Sequence, residues 1–264
     1  AFQQTRGVGA VFRLIPLDIL PLEALGLPSI VGDFANYKKG LVLVTGPTGS
    51  GKSPTLAAVI DRINNSRSDH ILTVEDPVEF YHTPKKCLVT QREVGPHTHS
   101  FSKALKSALR QDPDIILIGE MRDLETISLA MTAAETGHLV FGTLHTKSAS
   151  ETIDRVIDVF PSHQQSQVRT QLAASLLAVV SQRLLQRNMG EGRIAAFELM
   201  MGTPAIRNVI RENKMHQALS LMESGRRVGM VTVDKCLLTL MERRQISRAE
   251  ATRYMKNPNS LPPM

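Results

Sequence analysis

Eight residues, GPTGSGKS from Gly46 to Ser53, follow the apolar run Leu41 to Thr45 and precede a helix-forming segment. No other stretch constrains the fold as tightly. The residues fit the pattern G-x-x-x-x-G-K-[ST] in the strand, loop and helix frame that this pattern requires. Gly46, Gly49 and Gly51 let the backbone curl so that consecutive N–H groups point inward, and the following helix adds its positive end. Such a nest suits phosphate oxygens. Lys52 is placed to bridge the β- and γ-phosphates of a triphosphate and Ser53 to hold Mg²⁺. The expected binding set is Gly46, Thr48, Gly49, Ser50, Gly51, Lys52 and Ser53, with Pro54 and Thr55 completing the turn. Pro54 has no N–H, so one donor that normally faces the α-phosphate is missing, although its ring suits a helix's first turn.

Around this motif short apolar runs alternate with longer helical patterns, the mark of strand and helix units on a mostly parallel sheet. Strands are expected at Leu41 to Thr45, Ile71 to Glu75, Ile115 to Ile118, Leu139 to Leu144 and Ile194 to Met200. Several are apolar throughout, which implies burial on both faces. Asp123 starts and Gly137 stops a helix over Leu124 to Thr136, and Ser162 with Gln165 reads as a capping box opening a long helix to about Arg187. Residues 1–35 read as the remnant of a separate N-terminal domain and a linker, with a strand from Val8 to Ile15 and a short helix from Pro21 to Gly26. Residues 36–202 make the core. From Thr203 to residue 264 the pattern is helical, with Pro204 behind a Thr cap and a capping box at Ser247 and Glu250. The expected class is α/β: a mostly parallel sheet core, a partial N-terminal α+β domain and a C-terminal helical appendix.

The 264 residues suffice for one large or two small domains, and 42% apolar with 21% charged residues are ordinary globular values. No run reaches the roughly 18 to 20 apolar residues that span a bilayer; Leu172 to Val180 is the best candidate and is bounded by Gln171 and Ser181. Cys87 and Cys236 cannot build a disulfide framework or a four-thiolate zinc site, so a reducing cytoplasm is expected. The opening at Ala1 predicts an upstream segment. The net charge of +6 is spread along the chain, without the runs of five or six like charges that mark a nucleic-acid footprint.

Acids and histidines cluster at strand ends. DPDIILIGEMRD, Asp112 to Asp123, ends an apolar strand in Gly119 and Glu120, where a carboxylate beside the phosphate loop can serve Mg²⁺ and the attacking water. EDPVEF brings Glu75, Asp76 and Glu79 together, three acids that a cation would neutralise. His138 and His145 bracket a strand in TGHLVFGTLHT, and their odd separation puts them on opposite faces.

In this order and spacing, GPTGSGKS, ILTVEDPVEF, DPDIILIGEMRD and TGHLVFGTLHT resemble the Walker A, Asp box, Walker B and His box of the type II/IV secretion-type ATPases. RGVGAVFR and AIRNVIRE, Ala205 to Glu212, resemble its pilus-retraction branch. The resemblance implies a P-loop, RecA-like core and a cytoplasmic homo-hexamer, peripheral to the inner membrane at the pilus base. It also implies ATP and Mg²⁺ as ligands and a membrane platform protein as partner. Lys52 and Ser53 match the phosphate and Mg²⁺ positions, and Glu79, Glu120, His138 and His145 match the acid and histidine boxes. Ser53, Glu79 and Glu120 are the implied metal set. Arg13, with Arg6 a weaker candidate, falls where the family supplies arginines to a bound nucleotide. Three rivals stand beside it: the assembly or secretion branch, which carries a four-cysteine zinc motif that Cys87 and Cys236 do not make; a binding paralogue without turnover; and a nucleic-acid motor, for which a chain with no Trp lacks stacking aromatics.

Overall fold

The computed structural model describes residues 2–12, 18–188, 192–258 and 261. At its amino end β1 (Phe2–Gln4) and β2 (Gly7–Gly9) pair as an antiparallel hairpin. The strand expected from Val8 to Ile15 is confined to β2 where it is described; residues 13–15 lie outside the described residues. The helix expected at Pro21 is instead a pair of tight turns, closed by Ala24 N–H to Pro21 O and Gly26 N–H to Glu23 O. Helix formation begins at α1 (Ser29–Asp33).

Seven strands form the central sheet: β3 (Gly40–Thr45), β4 (His70–Glu75), β5 (Leu88–Glu93), β6 (Ile115–Ile118), β7 (Leu139–Leu144), β8 (Leu176–Gln186) and β9 (Arg193–Met201). Their order is β5-β4-β6-β7-β3-β8-β9, and every neighbouring pair is parallel except β8 with β9. β3, β6 and β7 are buried at every position, as unbroken apolar strands covered on both faces must be. Each wholly buried isoleucine of β6 contributes about 1.5 to 3 kcal/mol relative to exposure. Helices α2 (Lys52–Ser66), α3 (Phe101–Ala108), α4 (Leu124–Thr136), α5 (Ala149–Asp158) and α6 (Ser162–Ser175) pack on this sheet or on one another. Asp123 caps α4 by accepting from Thr126 N–H at 2.9 Å, and Gly137 ends it at φ 128°.

Two expectations are corrected between Ser162 and Arg187. The helix stops at Ser175, and the chain turns at once into β8, which lies between β3 and β9. Ser162 is the first helical residue rather than the cap, and Gln165 donates through its amide to Phe160 O at 3.1 Å. β5 was not expected at all. It is an edge strand, partly exposed and rich in polar residues, and so carries no apolar run.

Beyond the sheet the chain is helical, through α7 (Pro204–Arg211), α8 (Ala218–Ser224), α9 (Val233–Glu242) and α10 (Arg248–Tyr254), with one bridge from Val231 back to Leu199. Thr203 caps α7 with Pro204 behind it, and Ser247 caps α10 by accepting from Glu250 N–H. Glu198 of β9, 2% exposed, fastens this region to the core. It accepts from Ala149 N–H, the start of α5, at 2.7 Å and from Lys256 Nζ at 2.8 Å. No described helix is long and apolar enough to cross a membrane.

Candidate functional site

Because β3, β4, β6 and β7 are parallel and in register, their carboxyl ends lie along one edge of the sheet: Thr45 stands opposite Leu144, and Ile118 opposite both Val74 and Gly142. The loops that follow these strands therefore meet outside that edge, where open α/β sheets place their ligands. A cavity of about 390 Å³ opens there, lined by residues 48–54, Glu75 to Pro77, Glu79, Gly119, Glu120, Arg122, Thr143 and His145.

The loop from Gly46 to Gly51 wraps one side. Gly46 has φ 142°, Gly49 77° and Gly51 93°, all in the region that L side chains avoid. A Cβ on Gly46 would lie 2.3 Å from Gln182 O, so the loop sits against β8 only because this position has no side chain. Lys52 opens α2 and turns back over the loop, donating to Gly46 O at 2.8 Å and Pro47 O at 3.2 Å. Burial lowers its pKa, while Glu120 and Glu79 oppose that by attraction. The Ser50 hydroxyl is buried with no partner among the described residues.

Glu120 faces this loop from the end of β6. Burial would raise its pKa, but hydrogen bonding and charge from Arg122, with His145 Nε2 at 3.2 Å, outweigh that and hold it below the usual carboxylate range. It is therefore ionised at neutral pH. Glu75 behaves oppositely: burial raises its pKa, against hydrogen bonds from Thr73 and Gln91. Two carboxyl groups at adjacent strand ends are thus shifted in opposite directions.

The structure gathers most of the predicted site residues and leaves two of the described ones, Thr55 and His138, elsewhere. Thr48, Gly49, Ser50, Gly51, Lys52, Ser53, Pro54, Glu79, Glu120 and His145 all line the cavity, with Gly46 at the root of the loop. Thr55 turns inward instead, buried and accepting from Gln182 Nε2 at 3.0 Å. His138 precedes β7 while His145 follows it, so they lie about 23 Å apart at roughly 3.3 Å per residue. His138 bonds Ala133 O at 3.0 Å at the end of α4, away from the cavity. Arg13 lies outside the described residues. Arg122, Leu184 and Arg193 line the cavity without having been singled out. Arg122 stood within the DPDIILIGEMRD motif, two places after Glu120; Leu184 was hidden by the reading of β8 as helix.

These groups suit a phosphate ester: a lysine ammonium, an orphaned buried hydroxyl and a loop whose glycines leave no Cβ in the way. For a divalent cation the donors on offer, Ser53, Glu79 and Glu120, are oxygens, which suits Mg²⁺. Among the described residues no three His, Cys, Asp or Glu side chains form a metal cage, so Mg²⁺ would draw its other ligands from phosphates and water.

A profile of the type II/IV secretion system protein family matches residues 28–252, most of the chain. The chain belongs to that family. Of the type II/IV secretion system proteins, the type IV pilus retraction ATPase PilT of Pseudomonas aeruginosa is 58% identical over 98% of this chain and 75% of its own length. A twitching motility protein of Neisseria gonorrhoeae is 54% identical over 99% of this chain and 70% of its own. The crystal structure of the pilus retraction motor PilT with bound ADP superposes with a TM-score of 0.89, at 50% identity, covering 94% of this chain and 71% of that one. The family expected from the four motifs is the family found, and its sheet is the mostly parallel one expected.

Pro54 is the odd feature of the loop, because it brings no N–H to it. It is the third residue of α2, lines the cavity, and leaves the helix intact, with Thr55 N–H still reaching Gly51 O at 3.2 Å. One amide donor is absent where charged oxygens are expected. Such a bond is worth about 1.5 to 3 kcal/mol, so Pro54→Thr is expected to tighten nucleotide binding about ten- to a hundredfold in a calorimetric titration. Unchanged affinity would show that this amide takes no part.

Proposed function

We propose that the chain is an ATP-hydrolysing motor that powers retraction of type IV pili, working as a ring of six copies. One observation carries this reading: Lys52, on the glycine loop, and an ionised Glu120, backed by His145, face each other across one cavity at the carboxyl edge of the sheet. A cation to anchor phosphates and a carboxylate to handle water are the two parts that phosphoryl transfer asks of a protein. The names and similarity of the pilus-retraction relatives support the choice of machine.

In this reading residues 46–53 hold the triphosphate, with Lys52 leaving the carbonyls of Gly46 and Pro47 for the β- and γ-phosphates. Ser53, Glu79 and Glu120 would hold Mg²⁺ from the protein side, where the ion would supply charge neutralisation on the phosphoryl oxygens. Glu120 orients the attacking water and accepts its proton, and His145 at 3.2 Å fixes the carboxylate. His138, at the far end of β7, and Arg13 are assigned to contacts between neighbouring subunits. Residues 36–202 are the motor core, 203–264 an attached helical segment, and 1–35 the remnant of an N-terminal domain. The ring docks on a membrane platform protein at the cytoplasmic base of the pilus. The test is Mg²⁺-dependent phosphate release, with assembly followed by light scattering. Turnover that appears with assembly supports the motor, whereas ADP and ATP binding without turnover would identify a regulatory paralogue.

A further inference from the structure

Behind the metal end of this site lies a buried histidine that the mechanism above does not use. His82 sits in the segment between β4 and β5, is 6% exposed, and has Nδ1 buried without a hydrogen-bond partner among the described residues. A buried ring nitrogen left bare costs about 1 to 3 kcal/mol, so a fold that keeps one has a missing partner. The segment itself is firmly placed. His82 N–H donates to Gln91 Oε1 at 2.8 Å, and Gln91 Nε2 donates in turn to Phe80 O at 2.9 Å and Glu75 Oε1 at 3.3 Å. Burial pushes the His82 ring down to about 4, so it is neutral at physiological pH and Nδ1 offers a lone pair or one proton.

Beside it is a second cavity of about 30 Å³, lined by His82, Ser53, Glu75, Gly119 and Thr143 together with apolar groups. It shares Ser53, Glu75, Gly119 and Thr143 with the wall of the larger cavity. A water needs about 10 to 15 Å³ of such space and two to four polar partners. Of the residues that line it, His82, Ser53 and Glu75 offer three candidates. We propose that this cavity is a built site for one water molecule held by His82 Nδ1, with Glu75 as a further partner of that water, and that through it His82 positions Ser53 toward the bound metal. His82 is a positioning residue in this account, acting at second hand on the hydroxyl that meets Mg²⁺. The inference rests on the nucleotide reading given above.

The test uses the whole chain and ADP, with Mg²⁺ in one series and EDTA in the other. His82→Asn keeps a polar atom where Nδ1 stands; His82→Leu fills similar space without one. In EDTA the parent and both variants are expected to bind ADP alike. Added Mg²⁺ is expected to tighten binding equally for the parent and His82→Asn, while His82→Leu loses about tenfold of that gain, in the range seen when support for a metal ligand is removed. Melting curves check that both variants fold, and a high-resolution crystal structure of the parent should show the water. Equal Mg²⁺ gain in His82→Leu and the parent, equal loss in both variants, or a dry cavity overturns the proposal. A parent that binds ADP in neither series overturns the nucleotide reading with it, an outcome distinct from the variants differing.

Discussion

Replacing Glu120 by glutamine is expected to lower ATP turnover by about a hundred- to ten-thousandfold while nucleotide binding persists, the range a positioned base contributes. Glutamine keeps the size of the side chain and an oxygen for His145 and Arg122 to meet, but it cannot take a proton and carries no charge for a metal. Lys52, across the cavity, would lose one of the two carboxylates that oppose its burial. Single-turnover phosphate release separates the chemical step from product release, and titration with an ATP analogue checks occupancy. If release proceeds at the parent rate, the base lies elsewhere, and Glu79 becomes the next candidate on the cavity wall.

The second large effect is expected at Gly46. In Gly46→Ala the new Cβ would stand 2.3 Å from Gln182 O and 2.6 Å from Ser50 Oγ, at a φ of 142°. Gln182 belongs to β8, whose ladder with β3 pairs Thr45 with Ser181, so its carbonyl cannot retreat without loosening the sheet. Backbone strain of about 1 to 3 kcal/mol adds to overpacking of a similar size, together about 2 to 6 kcal/mol. The melting temperature should fall by several degrees, and nucleotide binding should be lost because the loop's amides are displaced. Gly49→Ala is the control: φ is 77°, but nothing lies within 4 Å of its Cβ, so only the left-handed backbone is penalised, by about 1 to 2 kcal/mol. Equal melting and binding losses in the two variants would show that the close approach to β8 is irrelevant.

The edge-strand and β8 cases show which signals a linear reading can use. β3, β6 and β7 were legible because burial on both faces demands unbroken apolar runs, and each ends in turn residues. β5 was not, because one flank of an edge strand meets water and tolerates Thr90, Gln91, Arg92 and Glu93. The segment from Ser162 to Gln186 holds no glycine or proline, so nothing local separates α6 from β8. Its second half becomes a strand because β3 and β9 offer a ladder on each side, and that tertiary pairing overrides a weak helical preference.

Taken alone, the order of residues determined the phosphate loop, the strands that aim it and the acid at the end of β6, because each depends on chemistry within a few neighbours. The tertiary structure decided which of these groups meet. Parallel pairing sent His145 to the cavity and His138 to the opposite end of the same strand. It also turned Thr55 toward Gln182 and brought Leu184 and Arg193 to the cavity wall from strands late in the chain. Encounters of that kind depend on sheet order and register, which join residues far apart in sequence and leave no mark in the spacing of either partner.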